Sequence, residues 1–67
     1  MKLKKGDLVK ITIELVGYNK GTIGVIVSSR PYFDKRFGEN TWKMFIENRK
    51  GKQVFKRISQ GSFEKLI

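Results

Sequence analysis

Phe45 and Phe55, with Lys43 two positions before the first and Arg57 two positions after the second, are the side chains here whose types and spacing suit recognition chemistry. Aromatic faces stack on nucleobases, and cations at adjoining positions meet phosphates. The turn 48–51, Asn-Arg-Lys-Gly, decides how these residues meet. Read as a hairpin loop with a bulged, positive-φ glycine, it sets Trp42 opposite Ile58, Met44 opposite Lys56 and Ile46 opposite Val54 on one face. Lys43 then lies opposite Arg57, Phe45 opposite Phe55 and Glu47 opposite Gln53 on the other. In this register the rings and cations share the face expected to be solvated. If the sheet's coiling turns Phe45 and Phe55 inward instead, they become core and Trp42 is left at the rim.

Further cations extend the pattern. From 48 to 63 there are Arg49, Lys50, Lys52, Lys56 and Arg57 and no acidic residue. Like charges along one hairpin repel, so an external anion would balance them; the other reading is a solubilising edge whose lysines block aggregation. The segment 30–40 adds Arg30, Lys35 and Arg36 among Tyr32, Phe33 and Phe37, a mixture suited to stacking on bases or wedging into a groove. One or more of these rings folding back over an open end of the domain is the structural alternative.

Over all 67 residues, 15 Lys and Arg against 6 Asp and Glu give a net charge of +9, which points to a polyanionic partner. With no Cys and no His, disulfides, thiolate or imidazole metal sites and the usual nucleophile and proton-shuttle constellations are excluded. The carboxylates are scattered, and no Walker-type or dinucleotide-binding glycine loop is present. The chain reads as a binding protein rather than an enzyme, with no cofactor and no metal.

The elements that must carry these side chains are short strands. Segment 7–15 alternates Val9, Ile11, Ile13 and Leu15 with polar residues, and 22–29 places Ile23, Val25 and Val27 on one face around Gly24. Gly24 marks a bulge or a close backbone approach. Segment 30–40 reads as a long loop, 41–47 and 52–58 as a hairpin, 59–62 as a tight turn and 63–67 as a closing strand. No window sustains a helical apolar period. The expected core comprises Val9, Ile11, Val25, Val27, Ile46 and Val54. Five short strands in one domain, 1–67, bury a single apolar face most economically by curling into a small barrel.

Lys5-Gly6-Asp7-Leu8-Val9-Lys10-Ile11 followed by Lys20-Gly21-Thr22-Ile23-Gly24-Val25-Ile26 resembles the KOW motif of SH3-like barrels, as found in ribosomal proteins and NusG-type elongation factors. The likeness covers about the first 27 residues. It implies an all-β, five-stranded SH3-like barrel, with Gly6 and Gly21 at positive φ. The segment 12–19 is longer and more apolar than the usual basic KOW turn, so the resemblance carries fold further than function.

The sequence therefore leads to two expectations. In the first, a basic surface of the 48–57 hairpin and the 30–40 segment binds nucleic acid, DNA or RNA, in a transcription, translation or nucleoid setting; Arg30, Lys35, Arg36, Lys43, Arg49, Lys50, Lys52, Phe55, Lys56 and Arg57 supply the contacts. In the second, Tyr32, Phe33 and Phe37 anchor the domain on a larger protein or ribonucleoprotein assembly. No membrane-spanning run or signal-peptide core is evident, so the expected location is cytoplasmic.

Overall fold

The hairpin built on the 48–51 turn organises the sheet. In the computed structural model, which describes residues 2–66, its arms are β4 (Glu39–Glu47) and β5 (Gln53–Ser59). They pair in the register read from the turn, from Thr41 opposite Ser59 to Glu47 opposite Gln53. The turn closes as its residues require: Asn48 accepts the Lys50 and Lys52 amides through its side-chain oxygen, at 3.0 and 2.9 Å, and Gly51 takes φ 83°.

Around the hairpin lie β1 (Leu8–Ile11), β2 (Ile23–Ile26), β3 (Tyr32–Asp34) and β6 (Phe63–Lys65), with a 3-10 turn over Gln60–Ser62 before β6. The fold is all-β, an antiparallel sheet of six strands rather than five. Its order is β3-β4-β2-β1-β6, with β5 on the other side of β4. Among the described residues β5 pairs only with β4, and no helix is long and apolar enough to cross a membrane.

Two segments depart from the sequence reading. The expected long loop 30–40 is itself a hairpin: β3 pairs with the start of β4, and Asp34 C=O accepts the amides of Phe37 and Gly38 at 3.2 and 2.9 Å. Pro31 and the four-residue turn hid this pairing by breaking the alternation. The first strand ends at Ile11 rather than at 15, because its ladder partner runs out. The Gly21 amide closes on Ile11 C=O at 2.8 Å, with Gly21 at φ 93°, and the chain beyond turns back as a small loop in which Leu15 bridges Tyr18. The last strand ends at Lys65; Ile67, included in the expected strand, lies outside the described residues.

The core is Leu3, Val9, Ile11, Ile26, Trp42, Met44, Ile46, Ile58 and Phe63, with Leu15, Tyr18 and Val54 packed against it. Val9, Ile11 and Ile46 are where the alternation puts them. Val25 and Val27 are not: in β2 the inward residues are Gly24 and Ile26, one position out of phase with the expectation. The cause is steric. Gly24 pairs with Val9 on one side and Ile46 on the other, and a Cβ there would stand 2.9 Å from Met44 Sδ. Any larger residue at that inward position must displace Met44, and its neighbours in β2 are turned outward with Phe45.

Candidate nucleic-acid interface

With Trp42, Met44 and Ile46 inward, Lys43, Phe45 and Glu47 of β4 and Gln53, Phe55 and Arg57 of β5 face out. Of the two alternatives for the phenylalanines, the outward one holds: Phe55 is 61% exposed and Phe45 38%. Their rings lie 5.0 Å apart with planes tilted by 53°, a favourable aromatic cross-strand contact. Phe45 thereby supports Phe55 from the side and leaves most of the Phe55 ring to solvent.

The cations beside them are held at ring height. Lys43 Nζ stands 5.7 Å from the centre of Phe55, and the Arg57 guanidinium covers Tyr32 at 4.5 Å. Tyr32 reaches this face because β3 continues the sheet along the first half of β4, where Thr41 Oγ1 donates to Tyr32 C=O at 3.0 Å. Beside Arg57, a shallow hollow is lined by Ser28, Ser29, Arg30, Tyr32, Lys43 and other residues of the 27–31 connection and β4, with no carboxylate among them. The Ser28 hydroxyl oxygen is buried there without a hydrogen-bond partner.

The other cations named from sequence are distributed elsewhere. The Arg49 guanidinium, though exposed, is committed to partners within the chain: it donates to Asn19 Oδ1 at 3.0 Å, Glu14 Oε2 at 2.9 Å and the carbonyls of Leu15 and Tyr18 at 3.3 Å. It pins the 12–19 loop to the 48–51 turn, and its backbone amide adds a 2.7 Å bond to Gly17 C=O. Arg36 is tied to Asp34, through Nε at 3.3 Å and through NH2 at 3.1 Å, and covers Phe37. That side-chain hydrogen bond holds the Asp34 carboxyl below its ordinary range, against some desolvation, and raises Arg36 in turn. Lys35 is exposed at the tip of the same turn, Lys50 and Lys52 sit at the far end of the hairpin, and Lys56 lies opposite Met44 on the other face of β5.

Tyr32 and Phe33, as neighbours in β3, present opposite sides of the strand, yet Tyr32, Phe33 and Phe37 all border one wide concavity that Lys43, Phe55 and Arg57 also line. On the outer face the structure gathers Arg30, Tyr32, Lys43, Phe45, Phe55 and Arg57. The sequence reading missed the part played by Ser28 and Ser29, and it missed the apolar row that continues from Phe55 and Phe45 to Val25, Leu8 and Leu66 across the outer face. The inward glycine of β2 is the signal that could have found that row, since it fixes Val25 outward beside Phe45. Comparison of the chain with known protein families, with curated proteins and with solved structures finds no match.

Proposed function

We propose that this chain is an SH3-like, KOW-like small barrel that binds nucleic acid on the outer face of β4 and β5. Supporting the barrel reading are the strand order, in which β1 lies between β2 and β6, and the 3-10 turn that leads β5 into β6. The observation that carries the functional reading is the outward Phe45–Phe55 pair bordered by Lys43 and Arg57, in a chain of net charge +9. Phosphate contacts supply most of the affinity with little sequence preference, and the rings add stacking. A role as an accessory factor in transcription, translation or nucleoid organisation fits such a module.

The test is an anisotropy titration of wild type and the double variant Lys43→Gln/Arg57→Gln against DNA and RNA at several salt concentrations. The double variant weakens binding to every sequence by a similar factor. It also flattens the plot of log K against log salt, by roughly 0.9 for each duplex phosphate it no longer neutralises, or about 0.7 on single strands. Lys56→Gln removes a charge from the other face and has a smaller effect. Binding that ignores salt and the double substitution, or no binding at low salt, overturns the proposal and favours protein docking.

A further inference from the structure

We infer that the outer face takes a single nucleic-acid strand, with one base stacked on Phe55 and the adjoining phosphate seated in the hollow of Ser28, Arg30, Lys43 and Arg57. This rests on the nucleic-acid reading and specifies which form of nucleic acid the site accepts.

The distribution of charge about the Phe45–Phe55 row carries the inference. On one side of the row stand Lys43 and Arg57; on the other, one step along the same strands, stand Glu47 and Gln53. A duplex that received Phe55 as a wedge in its minor groove would bring a phosphate backbone along each side of the ring, and one of them would meet Glu47. A lone strand brings one backbone. The cations on a single flank serve that backbone, and the exposed ring face serves a base whose own face is free, which duplex bases are not.

The hollow gives the backbone a defined seat. Three cations, Arg30, Lys43 and Arg57, line it with no carboxylate. Arg57 is already oriented by its stack on Tyr32, so little side-chain freedom is lost when it meets a phosphate. Lys43 borders both halves: its ammonium stands 5.7 Å from the centre of the Phe55 ring and its side chain lines the hollow.

The experiment uses the full chain and labelled oligothymidine, oligouridine and a DNA duplex of equal length. Phe55→Ala lowers affinity for both single strands by roughly five- to hundredfold and leaves duplex affinity within about twofold, with circular dichroism confirming that the variant stays folded. Phe55→Trp supplies a second readout, because Trp42 is buried and the new indole reports the outer face. Its fluorescence is quenched on saturation with oligothymidine and unchanged with duplex. Equal quenching by both, or single-strand affinity indifferent to Phe55→Ala, overturns the single-strand site; if the double charge variant still weakens both forms, the broader nucleic-acid reading stands without it. Absence of any binding at low salt removes both.

Discussion

Gly24→Ala isolates the feature that sets the phase of β2. The added methyl would stand 2.9 Å from Met44 Sδ and 3.5 Å from Ile46 Cβ, and both side chains are fully buried. Attractive contacts lie near 3.5–4.0 Å, so Met44 must retreat by roughly half an ångström or more into a packed core. Such overpacking costs about 1–3 kcal/mol. Gly24 has no positive φ, so alanine also restricts the unfolded chain, which returns about 0.4–1 kcal/mol. The net loss, on the order of 1 kcal/mol, lowers Tm by about 4–8 °C in a domain of this size.

The assay is thermal unfolding of a double-mutant cycle with Met44→Val, which removes the δ atom that the new methyl meets. Met44→Val alone costs roughly 1–2 kcal/mol in lost burial. Combined with Gly24→Ala it costs less than the two single changes together, with a coupling of about 0.5 kcal/mol or more, because the methyl occupies vacated space. A Gly24→Ala protein as stable as wild type, or strictly additive losses, refutes the close approach as the reason for glycine at this position.

Two further outcomes are expected. Arg49→Ala frees the 12–19 loop, with a loss of about 1 kcal/mol and faster amide exchange at Tyr18, and Arg49→Lys does not restore it because one ammonium cannot reach the separated acceptors that the planar guanidinium spans; unchanged exchange at Tyr18 refutes the clip. Asp34 has its folded pKa lowered by Arg36, so its ionised form contributes stability above the ordinary 3.8 that is lost as pH falls through and below that value. The Tm difference between wild type and Asp34→Asn is therefore present near about pH 6 and closes toward about pH 2, and a difference that does not change with pH refutes the pairing.

What was legible in the sequence was whatever a local rule determines. The Asn48 to Gly51 turn specified the β4–β5 register residue by residue, because turn geometry and pleat leave one pairing. Val9, Ile11 and Ile46 followed from alternation. The phase of β2 did not, since Ile23, Val25, Ile26 and Val27 are all apolar and the deciding contact, Gly24 against Met44, joins residues distant in sequence. Arg49 read as one more cation of a basic hairpin for a similar reason: Glu14 and Asn19, which it binds, precede it by 35 and 30 positions. The sequence singled out Lys43, Phe55 and Arg57, while the hollow beside them depends on β3 pairing with β4 and bringing the 27–31 connection alongside.

The apolar outer row and the net charge make sense only together. Leu8, Val25, Phe45 and Phe55 cross β1, β2, β4 and β5, with Leu66 beside Leu8 just past the end of β6, and several are substantially exposed. Such a stripe, beside a β5 edge that has no partner among the described residues, favours association between copies. Lys52 just before that edge, Lys56 within it, and Lys43 and Arg57 beside the stripe oppose this, because two copies meeting there bring like charges inside the screening length of about 8 Å at physiological salt. Of the carboxylates on this face, Asp34 is tied to Arg36 and Glu39 accepts from the Gly61 amide, whereas Glu47 stands on the side of the phenylalanines away from Lys43 and Arg57. A surface built only to stay soluble has no need of that asymmetry, since any distribution of the same charges repels another copy. One that receives a single line of negative charge along one flank does.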